Sequence, residues 1–209
     1  MSTVLDLVGD LGGVGDGSTS NTAALRHGIR LIAAAGGGEL RVDGRFGQRT
    51  FLTGPFNLTS NLRLVVAPNT TLLGSTDLVE WPLIAPLASY GQGRDHPGPR
   101  RVSLIHGFGL RNVTVTGGGT IDGQGAFWWR LHRASEAGSP GAERFTRGHL
   151  VEFVRSQSVE LSHLTLRNSP FWTVHPAFCS DVEVHHVAIH NPPDSPQTDG
   201  IDPDSSVRT

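Results

Sequence analysis

The stretch that decides the fold is SVELSHLTLRNSP at residues 158–170, which returns in altered form as DVEVHHVAIHNPP at residues 181–193. The offset between the two copies is 23 residues (181 − 158). It aligns Val159 with Val182, Leu161 with Val184, Leu164 with Val187, Leu166 with Ile189, His163 with His186, Asn168 with Asn191 and Pro170 with Pro193. Twice the offset, 46, carries Leu104 to Leu150 and Val113 to Val159. Such a short internal repeat is typical of a stacked architecture.

Each repeat holds two or three short apolar strands, so it predicts one coil of a parallel β-solenoid. Equivalent residues of neighbouring coils then lie about 4.8 Å apart. The interruption between Leu161 and Leu164 predicts a bend at Ser162 and His163, and the alignment of Asn168 with Asn191 predicts a ladder of side-chain amides. Strands are expected at residues 62–67, 102–105, 113–116, 150–154, 159–166 and 182–189. A leucine-rich repeat is disfavoured because neither its leucine spacing nor a helix in each coil is present.

One helix is predicted, over residues 22–35. Its apolar face is formed by Leu25, Ile29, Ile32 and Ala33. Ser20 and Asn21 are expected to cap its start, and the glycines at residues 36–38 to end it. The chain is then one incomplete β-helix domain over residues 1–209. Residues 1–38 form an N-terminal cap, and residues 39–209 form coils with an inserted loop at 123–148.

The amino-acid composition argues against several classes of function. The 209 residues carry 17 basic groups, all arginine, and 19 acidic groups, for a net charge of −2. This balance argues against nucleic-acid and membrane-surface partners. The single cysteine, Cys179, excludes an intrachain disulfide and is expected to lie in the core. No secretory signal is recognisable, so the chain as written is expected to stay in the cytoplasm.

Three ordered segments resemble the polygalacturonase family, glycoside hydrolase family 28. They are GVGDGSTSNTAALRHGIRLIAAAGGG at 13–38, GGGTIDGQGAFWW at 117–129 and QTDGIDPDSS at 197–206, and SPFWTVHP at 169–176 fits as well. The resemblance implies an all-β, right-handed parallel β-helix that hydrolyses α-1,4-galacturonosyl linkages in pectin or its oligomers. It further implies an inverting mechanism without a cofactor, and a compartment that is often extracellular or periplasmic.

The chain departs from the family pattern in two ways. Gln197 occupies a position where the family has Asn. The family's paired aspartates, its Gly-His-Gly motif and its Arg-Ile-Lys motif do not occur, so the sequence resembles the N-terminal half of an enzyme. A complementing C-terminal half is therefore a possible partner, beside the pectic substrate.

The resemblance implies roles for individual residues. Asp199 is assigned to the water-activating side, Asp202 to the same carboxylate patch, and Gln197 to substrate binding. Stacking places His175 one coil before this motif, where it is expected to bind substrate by a hydrogen bond to a sugar hydroxyl, or to hydrogen-bond a carboxylate. A turn histidine followed by Pro176 is the alternative. An ordinary polar turn is the alternative for residues 198–204, and it is the preferred interpretation of Asp204. Trp128 and Trp129 are expected to pack the inserted loop, with stacking on sugar rings as the alternative.

No metal site is expected at His163, His185, His186 and His190, since no cysteine or nearby carboxylate pattern accompanies them. Two further functions stay open: a catalytically inactive, truncated or split-gene fragment, and a non-catalytic carbohydrate-binding β-helix. A pectate lyase is disfavoured, because it needs a basic residue to abstract the proton, and the chain has no lysine.

Overall fold

A computed structural model describes residues 3–44, 47–89, 98–138 and 145–209. The strands in it are β1 (Thr3–Asp6), β2 (Asp16–Ser20), β3 (Gly38–Val42), β4 (Thr50–Thr53), β5 (Phe56–Asn57), β6 (Leu62–Val66), β7 (Thr71–Gly74), β8 (Leu83–Ile84), β9 (Arg100–Arg101), β10 (Ile105–Phe108), β11 (Arg111–Thr116), β12 (Thr120–Asp122), β13 (Val151–Val154), β14 (Gln157–Arg167), β15 (Val174–Ala177) and β16 (Ser180–His190). The helices are α1 (Thr22–Ala34) and α2 (Gly125–Glu136), with a short 3₁₀ turn at Leu78–Glu80. None of the described helices is long and apolar enough to cross a membrane.

The strands wind into a parallel β-helix, as predicted. One large parallel sheet has the order β1-β3-β6-β11-β14-β12-β7-β4-β2, and β16 pairs with β14. This sheet turns a corner, because the first half of β14 pairs with β11 and its second half pairs with β12. A second parallel sheet, β15-β13-β10-β5, forms another side of the coil. The pair β8-β9 is antiparallel and lies outside these two sheets.

The repeat sets the register of the coils. Val159 pairs with Val182 and Leu164 with Val187 at the offset of 23, and Val113 pairs with Val159 at the offset of 46. The predicted bend is confirmed, since His163 and the equivalent His186 have φ angles of 51° and 53°. A left-handed residue at the same place in each coil turns both strands by the same amount, so their pairing continues on both sides of the corner.

The core is a column of aliphatic side chains inside the coils, and α1 covers the end of this column at the first coil. Leu25, Ile29 and Ile32 of the helix are buried as predicted. Ala33 is exposed instead, and Gly28 takes its place in the packed face. A Cβ at Gly28 would lie 2.5 Å from Leu11 Cδ1, so any larger residue there would displace the Leu11 side chain.

Two predictions about amide side chains are wrong. Asn21 makes no capping hydrogen bond to α1; it accepts from Val14 N at 2.7 Å and donates to Leu52 O at 3.2 Å, which ties the preceding loop to β4. The amide ladder does not form either. Asn168 donates to the carboxylate of Asp122 at 3.1 Å, and Asn191 donates to Thr198 O at 2.9 Å. Each amide donates to a nearby carboxylate or carbonyl oxygen instead of to the side-chain amide of the neighbouring coil.

The inserted segment contains a helix rather than only a loop. Trp128 of α2 is fully buried, edge-on to Trp81 with ring centroids 4.6 Å apart. Trp129 Nε1 donates to Ser169 O at 2.9 Å. Both tryptophans therefore pack the insertion against the coils, and the alternative of sugar stacking is wrong. The strand expected at 102–105 begins only at Ile105, while the other predicted strands match within two residues.

Candidate active site

The predicted site lies on the outer face of the second sheet. Ile105, Val151 and Val174 of this sheet point into the core, so the residue after each one points outward. The outward residues form one row, in which Asn57 pairs with His106, His106 with Glu152 and Glu152 with His175. We call this row the polar ladder.

The polar ladder continues into the coil that carries the predicted catalytic motif. Ile201 forms a parallel bridge with Val174, and Asp202 N donates to Val174 O at 2.9 Å. Asp202 therefore follows His175 in the ladder, at about the 4.8 Å spacing of neighbouring strands. Asp199 lies just before this bridge, where its carbonyl accepts from Thr173 N at 2.9 Å, and it is exposed.

The two aspartates share one patch but differ in environment. Asp202 is partly buried, and its Oδ2 has no hydrogen-bond partner among the described residues. Burial, reinforced by the negative charge of Asp199, raises the pKa of Asp202 to about 6, while His175 acts in the opposite direction. Asp202 therefore holds a proton below about pH 6, and the exposed Asp199 is open to solvent.

Gln197 is held by an arginine that the sequence reasoning missed. Its Oε1 accepts from Arg147 Nη2 at 2.6 Å, and Gln197 itself has a φ of 53°. Arg147 is buried, donates from Nη1 to Pro170 O and Pro196 O at 2.9 and 2.7 Å, and lies over the Phe171 ring at 4.7 Å. The side-chain oxygen of Gln197 is thus used to anchor the motif.

Asp204 lies in a parallel bridge with Ala177 rather than in the expected polar turn. Its backbone N donates to Pro176 O at 2.9 Å, and its Oδ1 accepts from Ser205 Oγ at 2.9 Å. These contacts join two coils and are structural.

The centre of the polar ladder is a fully buried carboxylate, Glu152. Its Oε1 lies 2.7 Å from Arg100 Nη2 and 3.0 Å from His175 Nδ1. Its Oε2 lies 3.0 Å from both Ser103 Oγ and His106 Nδ1. Burial by itself raises the pKa of Glu152. The hydrogen bonds from His106 and His175 and the nearby cations outweigh it and hold this pKa well below its usual range. Glu152 is therefore an ionised carboxylate that its neighbours satisfy.

His149 completes this cluster as a neutral ring. Its Nε2 lies 3.6 Å from Glu152 Oε1, and the ring packs against both Phe171 and Trp172, with centroids 5.1 and 5.5 Å away. Burial, followed by the charge of His175, lowers the pKa of His149 well below its usual range.

His175 is fully buried, and its Nδ1 lies 3.0 Å from the carboxylate of Glu152. Of the two expected partners, a sugar hydroxyl or a carboxylate, the structure places the carboxylate against the ring. A sugar cannot reach the ring directly in this conformation. Because Glu152 is ionised, we assign a proton to Nδ1 of His175, which donates to the carboxylate.

Sequence reasoning missed Glu152, Arg100, His106 and His149. A signal for part of this set was present, because the offset of 46 leads from His106 to Glu152 and the offset of 23 from Glu152 to His175. Arg100 and His149 follow no repeat.

A cavity of about 240 Å³ opens at the other end of the polar ladder, beside Asn57 and His106, with Arg26 on its wall.

His149, Glu152 and His175 also bring three possible metal ligands within 4.8 Å of one another. The carboxylate is already paired with the guanidinium of Arg100, which would repel a cation. We therefore interpret this group as a hydrogen-bonded ion-pair cluster.

Comparison with known proteins gives consistent results. A family model described as "Glycosyl hydrolases family 28" matches residues 85–209. A probable polygalacturonase of Vitis vinifera is 42% identical over 204 residues, covering 96% of this chain and 40% of that protein. An exopolygalacturonase of Zea mays is 29% identical over 193 residues, covering 91% of this chain and 41% of that protein. The chain thus spans about two fifths of the length of these relatives.

Solved structures share the fold. The exopolygalacturonase of Thermotoga maritima superimposes with a TM-score of 0.78 at 26% identity, covering 99% of this chain and 50% of that one. The polygalacturonase of Erwinia carotovora ssp. carotovora gives a TM-score of 0.73 at 25% identity, covering 90% of this chain and 50% of that one. In both cases, nearly the whole chain corresponds to about half of the solved structure.

Proposed function

Since this chain belongs to glycosyl hydrolases family 28, we propose that it carries the water-activating side of a polygalacturonase active site, acting on α-1,4-galacturonosyl linkages of pectin or its oligomers. The observation that carries this proposal is the patch of Asp199 and Asp202, in which one carboxyl group is exposed and the other is partly buried with a raised pKa. Acid–base catalysis uses carboxyl groups whose environments differ in this way.

Asp199 is the proposed base. It is exposed, so a water molecule can reach it. Asp202 is the proposed partner, because its raised pKa lets it carry a proton and orient Asp199 or a sugar hydroxyl. Behind Asp202, the buried side chains of His175 and Glu152 are joined by a hydrogen bond of 3.0 Å.

An inverting glycosidase also needs a general acid, roughly 6.5–9.5 Å from the base, so that water fits between them. The adjacent aspartates that the family resemblance assigns to this role do not occur in these 209 residues. The proposal therefore includes a complementing segment, in the same polypeptide or in a second chain, that supplies the acid and the cations for the galacturonate carboxylates.

The test is the release of reducing ends from polygalacturonate by the protein together with its complementing segment. Asp199→Asn keeps the shape of the side chain but cannot accept a proton, so turnover should fall by about 10²–10⁴-fold while binding changes little. Asp204→Asn is the matched control and should retain activity. The first-formed product, followed by NMR, should have inverted anomeric configuration.

Retention of configuration, or full activity of Asp199→Asn, would contradict the proposal. Saturable pectin binding without any product would favour the carbohydrate-binding alternative. Activity of the 209 residues alone, abolished by Asp199→Asn, would remove the need for a complementing segment.

A further inference from the structure

Three histidine side chains meet at the corner between β14 and β16, away from the second sheet and its polar ladder. The corner residues of the two strands are in register, since Ser162 pairs with His185 and Leu164 with Val187. His163 and His186 therefore lie one above the other, and their rings stack with centroids 4.8 Å apart and planes inclined by 6°.

The left-handed backbone at His186 brings a third imidazole into the group. In a straight strand, consecutive residues point to opposite faces. The positive φ of His186 cancels this alternation, so the Nδ1 atoms of His185 and His186 lie 2.7 Å apart. One ring nitrogen from each of His163, His185 and His186 lies within 4.8 Å of the others, and the three rings are accessible at the surface.

These distances are close to those of a metal site. Zinc–nitrogen bonds of about 2.0–2.1 Å in a tetrahedral site place ligand nitrogens roughly 3.3 Å apart. Side chains at the surface change rotamer readily, so small rotations of the three rings reach this geometry without moving the backbone.

A carboxylate orients one of the rings. Glu160 Oε1 lies 3.5 Å from His185 Nε2 and is itself fixed by a hydrogen bond from Ser162 Oγ at 2.6 Å. A carboxylate against Nε2 keeps the proton on that nitrogen and leaves the Nδ1 lone pair toward His186. Metal-binding histidines almost always have such a partner on their second nitrogen. Glu160 lies on β14, three residues before His163, and its carboxylate reaches His185 on the neighbouring strand β16.

We propose that His163, His185 and His186 bind one Zn²⁺ ion, with Glu160 orienting His185 and a water molecule at the fourth position. Imidazole ligands suit zinc, copper and nickel, and the open tetrahedral arrangement favours zinc. The ion joins two successive coils at their corner and so acts as a structural clamp. This site is separate from the proposed hydrolysis and does not depend on it.

The first test is a calorimetric titration with ZnCl₂ of the protein purified without a polyhistidine tag. We expect saturable binding of one ion. His163→Ala and His186→Ala should each weaken it at least about 10-fold, because each removes one of three ligands. His190→Ala is the matched control: an exposed histidine on the same strand, outside the trio, which should leave the affinity unchanged.

Glu160→Gln tests the orienting contact. Loss of such a partner typically weakens metal binding by about 10–100-fold. Glu183→Gln is the control, because Glu183 is the exposed carboxylate that pairs with Glu160 on the next strand, whereas the carboxylate against His185 Nε2 is that of Glu160. Melting in a chelator should be the same for all variants, which separates ligand loss from unfolding.

Zinc at about 100 times its dissociation constant should also raise the melting temperature of the protein by roughly 5–10 °C. This shift should be absent in the variant that has alanine in place of His163, His185 and His186. No saturable uptake, or uptake that the triple variant retains, would overturn the proposal; the second result would direct attention to the buried His149–Glu152–His175 group.

Discussion

The Glu152→Gln substitution should be among the most damaging single changes in this protein. Gln keeps the volume of Glu152, so it creates no cavity, but it removes the negative charge that pairs with Arg100 at 2.7 Å. The side chains of Arg100 and Glu152 are only 6% and 0% exposed, so water cannot replace the lost partner. Removing one member of a buried ion pair typically costs about 3–5 kcal/mol.

That loss is a large part of the 5–15 kcal/mol that stabilises a typical domain. At about 2–4 °C per kcal/mol for a chain of this size, the melting temperature should fall by roughly 6–20 °C. The assay is urea denaturation at pH 7, followed by circular dichroism. Glu183→Gln, at an exposed carboxylate, is the control and should change the free energy of unfolding by less than about 1 kcal/mol.

The pH dependence gives a second test of the same cluster. The pKa of Glu152 is lower in the folded protein than its usual value of 4.5, so its contribution is complete above about pH 4.5 and is lost as the pH falls toward the folded pKa. The pKa of His149 is also lowered, from a usual 6.5, so the unfolded chain takes up this proton first and stability declines as the pH falls below about 6.5. Glu152→Gln should remove the decline in stability that occurs below about pH 4.5.

The reasoning is refuted if Glu152→Gln costs less than about 1 kcal/mol, or no more than Glu183→Gln. A paired substitution supports the interpretation independently. Glu152→Leu combined with Arg100→Met removes both charges, and it should be more stable than Glu152→Gln, because no buried charge is left without a partner.

Three further predictions follow from the coils and the aspartate patch. The side chain of Asp202 should titrate near pH 6 by carboxyl ¹³C NMR, and Asp199→Asn should lower this pKa by removing the neighbouring negative charge; an unchanged midpoint would contradict the pairing. Trp128→Ala should reduce the free energy of unfolding by about 3–5 kcal/mol in urea, because the side chain is fully buried against Trp81, whereas Val79→Ala, at a position 90% exposed, should change it little. The 209 residues expressed alone should associate at micromolar concentration in light scattering, since Val187 and Ile189 of β16 are only half-buried; a monomer that melts cooperatively would show that this face is covered.

The polar ladder shows where sequence reasoning reached its limit. The repeat placed His175 one coil from the catalytic motif and implied, through the same offsets, that His106 and Glu152 share its row. It gave no means to place Arg100 or His149, which come from segments between the coils. The pKa of Glu152 is lowered mainly by hydrogen bonds from His106 and His175, and that of His149 mainly by burial, so both depend on the stacked coils.

By itself, the sequence determined the coil, the register and the side chains that face the core. Parallel strands of equal spacing pair in only one way that keeps every aliphatic residue inside, so the offsets of 23 and 46 specify the stacking. It also determined α1 and the glycines that end it, because helix periodicity and helix termination at Gly36 are local properties.

Only the tertiary structure decided the contacts between segments without a repeat. It buried Trp128 against Trp81, turned Asn21 away from the helix end, enclosed His175 and brought Glu160 to the corner histidines. Each of these outcomes depends on which acceptor or ring is nearest after the coils have stacked. The distance from a side chain to its nearest acceptor or ring is a property of the assembled coils, and no local pattern of residues encodes it.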